Sequence, residues 1–378
     1  MPGYIFTLDN LDSLRNIART GVYSTNFNSI PTNVWRKEHE GTFADYFSMK
    51  PGDNIYFFSN RKIYGVGRLK EVAGSCVHLN FPGADRLESY NFDEVQDYMI
   101  LNTNEANLKN RFICTFEGAP YLFEEGVDMD NVLASQPEAF RMLRAFWKVS
   151  FIKIDDAENT ALFNYLLKAN ESYLDGTNGC FEVDDSLHAR IEALHTPDYE
   201  ANSNEIIRMV ADGQVLRHEM ALEAAIIDYI TREHRNNIFG NWDYISHQVI
   251  ASPFKPIDYM DRIDIFGYRF IPGYSTISKY LMIEIKRGAT DLQVVNQAMK
   301  YIDWIEQEYS RDYSMIEGFI VASDFSEEVI AMRNEQARRF YTKGRVPAIT
   351  HEWANLRLIR YRYDEVSNQM IFDEVAPL

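Results

Sequence analysis

The chain of 378 residues carries a net charge of −18, with 46% hydrophobic and 14% aromatic residues. That length suits two cores better than one, and the composition is that of a packed globular protein, not a disordered one. So acidic a chain repels phosphates at long range, so any nucleic-acid partner has to be met by a local basic surface.

No apolar run reaches the length of a bilayer, and the opening "MPGYIFTLDN" lacks a basic-then-apolar leader, so the expectation is a cytoplasmic protein with no membrane partner. Cys76, Cys114 and Cys180 are few, odd in number and far apart, and the eight histidines show no ligand spacing. Neither a disulfide framework nor a zinc knuckle is expected.

Residues 1–130 read mostly as β structure and form the first expected domain. "YIFTL" opens a strand, and "KPGDNIYFFSNRKIYGVGRLKEV" predicts two strands joined by a tight turn at Asn60–Arg61. Between them, "TGVYSTNFNSIPTNVWRKEHEG" predicts a long polar loop carrying Tyr23, Phe27 and Trp35, and such loops often bind something. Extended pieces follow at "CVHLNF" and "RFICTFEG". Residues 131–210 become mainly helical, with "SQPEAFRMLRAFW" and "DDAENTALFNYLLKANESYL" as helices, and read as a connector. Residues 211–378 alternate helix and strand. "GQVLRHEMALEAAIIDYITREH" and "DLQVVNQAMKYIDWIEQEY" predict long helices, "ISHQVIAS", "RIDIFGYRF", "YLMIEIKR" and "MIEGFIVAS" strands, "SEEVIAMRNEQARRFY" a helix and "LRLIRYRYD" a final strand. This order predicts a mixed sheet flanked by helices, an α/β or α+β layer architecture.

The chemistry gathers in this last part. Strand side chains alternate between faces, so Ile283 and Ile285 share one side while Glu284 and Lys286 share the other. By the same alternation Asp264 stands opposite Ile263 and Ile265, and "RFIPGYSTISKY" has the Pro-Gly and Ser/Thr of a hairpin turn. Asp264 is thus expected to meet Glu284 and Lys286 across the sheet. Glu223 falls inside the apolar stripe of Leu216, Met220, Ile227 and Ile230, where a carboxylate is costly unless it is paired, hydrogen-bonded or metal-bound. Gln297 and Tyr301 stand one helical turn apart and look back toward the strand ends. Carboxylates are hard oxygen ligands of the kind Mg²⁺ takes alongside substrate phosphate, and a lysine beside them can position a water.

These residues resemble the PD-(D/E)xK nuclease superfamily, in the RecB-like branch marked by Q-x-x-x-Y, and are similar to mismatch-cleaving endonucleases of archaea and actinobacteria. The likeness covers Leu216–Trp304. "EIK" is the only E-x-K in the chain, and Asp264 follows "RI" where a Pro is usual. The resemblance implies a restriction-endonuclease-like fold, with Asp264 and Glu284 as ligands of Mg²⁺ (Mn²⁺ substituting) and Lys286 orienting water. It makes Glu223 a metal-site or water-positioning carboxylate, with Gln297 and Tyr301 in support. It further implies phosphodiester hydrolysis, with double-stranded DNA as the expected substrate and a homodimer to cut both strands. In the first part of the chain, "MKPGDNIYFFSNRKIYGVGRLKEV" resembles the PUA-like barrels, including EVE and YTH domains, with a match over Tyr4–Phe116. That implies a base-binding pocket, for which Trp35, Tyr23, Phe57 and Tyr64 are the candidates; Phe57 and Tyr64 are equally readable as barrel core. "AMRNEQARRFYTKGRVPAITHEWANLRLIRYRY" offers Arg338, Arg339, Lys343 and Arg345 as phosphate-binding residues, or else a solvated face balancing acidity elsewhere.

The combination predicts a Mg²⁺-dependent DNA endonuclease, with modification-dependent restriction or defence as the role suggested by the domain pairing. Two other readings stay open: a nuclease for mismatched, branched or single-stranded DNA or for RNA, and a non-catalytic nucleic-acid-binding protein on a nuclease scaffold. A structural ion pair at a strand end is the plain alternative for Glu284 and Lys286.

Overall fold

The computed structural model describes residues 1–27, 35–118, 121–145, 150–175, 179–232, 237–251 and 261–376. The fold is α+β, with helices packed on two large sheets. The chain divides into two units, Met1–Asn202 and Ser203–Leu378, where three segments were expected. The expected connector over 131–210 is not a separate body. Its Phe151–Ile154 segment pairs antiparallel with Gly3–Phe6, which ties residues beyond 150 into the first sheet.

The first unit is built on a curled eight-stranded sheet. Its strands are β1 (Gly3–Thr7), β2 (Val22–Asn26), β3 (Asn54–Ser59), β4 (Lys62–Leu69), β5 (Val77–Leu79), β6 (Asn110–Glu117), β7 (Phe123–Asp128) and β8 (Phe151–Ile154). They run in the order β2-β6-β4-β3-β1-β8, with β5 added on β6 and β7 on β4. The β3–β4 hairpin turns at Asn60 and Arg61, whose φ values of 51° and 61° are the left-handed pair that a two-residue turn needs. The predicted loop after Thr20 is shorter than expected. Tyr23 sits on β2, and a helix occupies Lys37–Phe47; residues 28–34 of the predicted loop lie outside the described residues. Among its described residues "SQPEAFRMLRAFW" has a short helix at Met142–Ala145, and its residues 146 and 147 lie outside them.

The second unit opens with a small ribbon, β9 (Ala211–Asp212) and β10 (Val215–Leu216), so Leu216 precedes the helix it was expected to join. That helix runs Glu219–Arg232. A six-stranded mixed sheet follows: β11 (Tyr244–Ile250), β12 (Arg262–Phe270), β13 (Ile277–Ile285), β14 (Ile316–Ala322), then, after a separate exposed ribbon of β15 (Arg339–Lys343) and β16 (Ile349–Trp353), β17 (Leu356–Asp364) and β18 (Gln369–Glu374). The strand β18 was not foreseen, and the helix expected over "SEEVIAMRNEQARRFY" runs Glu327–Gln336, its last residues from Arg339 to Tyr341 lying in β15 instead. The β11–β12–β13 meander is antiparallel, as the Pro-Gly turn predicted. β13, β14 and β17 are parallel and need crossovers; the helix Gln293–Ile305 makes the first.

Helices cover both faces of this sheet. Ile302 of the crossover helix reaches the Gly318 position on the Met282 side. On the opposite face the rings of Tyr229, Phe239, Phe319 and Phe372 pack together at 5.0–6.2 Å between centroids. Gly267, mid-strand in β12, is required by close approach: a Cβ there would stand 2.6 Å from the Tyr244 carbonyl oxygen. The residues of β13 from Tyr280 to Ile285 are buried on both faces, which is why the strand reads as a continuous apolar run broken only by Glu284.

Candidate functional site

At the end of the β12–β13 ladder the backbone pairing runs to Ile265↔Ile283. The next residues in register, Asp264 and Glu284, face each other across the pair. Asp264 Oδ2 accepts the Ile285 N–H at 2.7 Å, so a side-chain carboxylate takes the bond that would have continued the ladder. Glu284 is 1% exposed, and Lys286 Nζ, two residues on and on the same face, donates to its Oε1 at 2.6 Å. Its other oxygen, Oε2, is buried without a hydrogen bond. The opposite face holds Ile263, Ile265, Ile283 and Ile285, all fully buried, so the alternation places the charged set as expected.

Glu223 joins this group through a residue that the sequence did not single out. Gln248 of β11 donates its Nε2 to Glu223 Oε1 at 2.7 Å and to Asp264 Oδ1 at 3.2 Å. His247, its neighbour, lies with Nδ1 3.4 Å from Glu223 Oε2. Gln297 and Tyr301 are hydrogen-bonded to each other, Nε2 to hydroxyl at 3.2 Å, on the helix following the site. Glu219 is exposed, and its Oε1 accepts from the Arg287 N–H at 3.4 Å at the mouth of the group. Arg287 in turn donates from Nη1 to the Arg217 carbonyl at 2.9 Å, and neither arginine is in an ion pair among the described residues.

The electrostatics follow from packing acids together out of water. Burial, and then the neighbouring Glu284 and Glu223 carboxylates, raise Asp264 well above its ordinary value, against the pull of the Ile285 N–H and Lys286. Burial pushes Glu284 up to about 7, held back chiefly by the Lys286 ammonium. Burial also raises Glu223, opposed by His247 and Gln248. For Lys286 burial pulls downward, but the Glu284 carboxylate outweighs it and the ammonium is held more tightly than usual. Burial raises Tyr301 to about 12, with Glu284 and Asp264 adding to the effect, which places its hydroxyl within their field.

Among the described residues, no three His, Cys, Asp or Glu side chains are gathered closely enough to hold a metal ion together. The group that does fit a cation is smaller. Asp264, half-buried, and Glu284, buried, are adjacent carboxylates, the second raising the first's cost of ionisation, and one Glu284 oxygen has no hydrogen bond; both facts are relieved by a hard divalent ion that needs only one or two protein carboxylates.

The other candidates fall elsewhere. Trp35 is 1% exposed, wedged among Phe27, His39 and Phe43 at 5.0–6.1 Å, with the Arg111 guanidinium 5.7 Å from its ring. Tyr23 packs on Phe6 and Phe151, and Phe57 on Phe6 and Phe116. These three are core, not a base-stacking platform. Tyr64 is also largely buried, but it reaches an open cleft of about 350 Å³ with Lys62, Glu124, Glu125 and Tyr173. The basic stretch near the end is largely neutralised. Arg339 makes a two-pronged contact with Asp303 at 2.7 and 2.8 Å, Arg338 pairs with Glu352 at 2.7 Å, and Lys343 with Asp312 at 2.7 Å. Arg357, Arg360 and Arg362 pair with Glu374, Asp324 and Asp373. Of the four predicted phosphate-binding residues only Arg345 is exposed and unpaired among the described residues.

No protein-family model and no curated protein matches the chain. Among solved structures it is similar, over 34% of its length, to a repair endonuclease from Pyrococcus abyssi, at 20% identity and a TM-score of 0.21. It spans 46% of that chain, less than half. It is also similar, over 46% of its length, to a hypothetical protein from Leishmania major, at 10% identity and a TM-score of 0.25, spanning 96% of that chain. Likenesses this slight describe neither fold nor function, and a functional reading rests on the residues themselves. No helix among the described residues is long and apolar enough to cross a membrane.

Proposed function

We propose that the second unit hydrolyses phosphodiester bonds of nucleic acid with the help of a divalent cation, and that duplex DNA is its substrate. The observation that carries this reading is the Asp264–Glu284–Lys286 cluster: a half-buried and a buried carboxylate in register at a strand end, Glu284 Oε2 unsatisfied, and the Lys286 ammonium 2.6 Å from Glu284 Oε1. A structural ion pair has no use for the second acid, since each added carboxylate makes the others harder to ionise.

Asp264 and Glu284 would hold the cation. When bound, the ion supplies positive charge against the phosphate and lowers the pKa of a water beside it. Lys286 stays protonated in the field of Glu284, so its part is to orient the attacking water and to place charge on a phosphate oxygen. The water oxygen bonds to phosphorus, the bond to the leaving oxygen breaks, the water's proton passes to a carboxylate or to solvent, and the leaving oxygen takes up a proton from solvent. Gln297 and Tyr301 support this side from the following helix. Arg287, exposed and next to Lys286 in the chain, and Arg217, exposed and hydrogen-bonded to Arg287 through its carbonyl, would be the local basic surface that an acidic chain needs in order to hold a phosphate backbone. Cutting both strands calls for two such sites, and a homodimer supplies them.

The test is cleavage of supercoiled plasmid by the full chain with Mg²⁺ or Mn²⁺. Wild type should nick or linearise it, EDTA should stop the reaction, and Lys286→Ala and Asp264→Asn should each lose at least about 100-fold. A wild-type protein that cuts neither DNA nor RNA under these conditions, or a Lys286→Ala protein as active as wild type, ends this reading.

A further inference from the structure

Gln248 occupies an unusual place in β11. Its φ of 52° is left-handed, in the middle of a strand and at a non-glycine residue. The β11–β12 ladder pairs His247 with Ile265 and Val249 with Ile263, and leaves out the pair between them, Gln248 and Asp264. Those two residues meet through their side chains instead. The single amide nitrogen of Gln248 bridges Glu223 on the helix and Asp264 on the sheet, at 2.7 and 3.2 Å. Backbone held in such a conformation persists only where the surroundings over-determine it, and functional sites are where it collects. An amide is suited to this spot. It is neutral and offers two donors, so it satisfies carboxylates without adding a charge to a crowded group.

We infer that Gln248 is a positioning residue of this site: its amide orients Asp264 for the cation and stands between that cation and Glu223, which acts through the amide and not as a direct ligand. The inference rests on the reading of Asp264 and Glu284 as cation ligands. It also accounts for the acids failing to form a cluster of three, because the third is reached through Gln248. Partners that orient a metal ligand in this way affect affinity without touching the ion.

The experiment is Mn²⁺ titration of the full-length protein by calorimetry and by electron paramagnetic resonance, with no nucleic acid present. Wild type should bind Mn²⁺, and Asp264→Asn should abolish it. Gln248→Leu should weaken binding about 10- to 100-fold. Glu223→Gln should weaken it no more than Gln248→Leu does, and the double variant should be no worse than Gln248→Leu alone, because both changes cut one path. Gln248→Glu separates positioning from mere support. In EDTA it should melt below wild type, yet its Mn²⁺-induced rise in melting temperature should exceed wild type's, whereas a residue with only a structural role would lower both. Should Gln248→Leu not fold, Gln248→Asn, which tolerates the left-handed backbone but falls one methylene short, should give the same weakening. Mn²⁺ affinity unchanged in the Gln248 variants, or abolished by Glu223→Gln as it is by Asp264→Asn, overturns the inference while leaving the cation site standing. Wild type binding no Mn²⁺ removes the cation reading itself, and this inference with it.

Discussion

Replacing Glu284 by glutamine should make the protein more stable in EDTA at neutral and alkaline pH, although it removes a residue central to the proposed activity. Burial raises the Glu284 carboxyl from 4.5 to about 7, a displacement equivalent to about 3 kcal/mol between its two protonation states. The folded state therefore holds this proton more tightly than the unfolded chain does. Its contribution is fully present below pH 4.5 and is lost as pH rises through about 7. Glutamine cannot ionise, so the variant escapes that loss. The ion pair with Lys286 is already contained in that value, since the ammonium is what keeps the carboxyl from rising further. The variant should then be about 3 kcal/mol more stable than wild type at pH 8, and about equal to it near pH 4.5. Urea unfolding of the full chain across this range measures the difference, and amide exchange over Tyr280–Lys286 localises it. Divalent ions at saturation should reverse the order, because a ligand present at about 1,000 times its Kd adds about 4.1 kcal/mol to the protein that binds it. Parallel stability curves for the two proteins from pH 4.5 to 9, or a variant less stable than wild type at pH 8, would refute the assignment of Glu284 as a carboxylate held at a cost.

In the first unit Glu158 is buried with Oε1 accepting from the Arg141 and Leu143 amides, and burial raises it to about 8. Its stabilising contribution falls as pH rises from 4.5 to about 8, by as much as about 5 kcal/mol. Glu158→Gln, which keeps the acceptor, should flatten that decline in a pH series of denaturation curves. Trp35→Ala should cost about 3–5 kcal/mol by chemical denaturation, as emptying a core site does. A variant that stays as stable as wild type while losing nucleic-acid binding would restore Trp35 to a recognition role. The double variant Arg217→Ala, Arg287→Ala should reduce the salt dependence of duplex binding by about one to two phosphate contacts in a plot of log affinity against log salt, and an unchanged slope would remove both residues from the interface.

Much of the second unit could be read from its residues, and the reason is local. Alternation along "RIDIF" and "MIEIK" assigns each side chain to a face before any partner is known, so Asp264, Glu284 and Lys286 were expected on one side and are found there. Glu223 was visible as a carboxylate inside an apolar stripe. Gln248 and His247 were not, because "SHQV" is an ordinary strand with polar residues, and nothing nearby marks a left-handed backbone at Gln248. The basic run was misleading for a related reason. The acids that neutralise it, Asp303, Asp312, Asp324 and Glu374, are brought in by folding from outside the run, so a local count of charge does not include them. Trp35 failed in the same way. Its polar neighbours suggested exposure, but burial was decided by Phe27 and Phe43, eight residues away on either side.

The net charge and the proposed substrate are reconciled by distance. At about 0.1 M salt a charge is screened beyond about 10 Å, so most of the acidic surface weakens long-range attraction without reaching a phosphate already held at the site. What such a phosphate would meet is set by Lys286, Arg287 and Arg217 with Glu219, which is hydrogen-bonded to the Arg287 N–H, near a carboxylate pair that is itself costly to ionise. A cation on Asp264 and Glu284 would offset the negative charge of that pair, and the two arginines would then act on the backbone against less repulsion. Cation and nucleic acid should therefore bind with positive coupling, each strengthening the other by the same factor, because both respond to the same local charge.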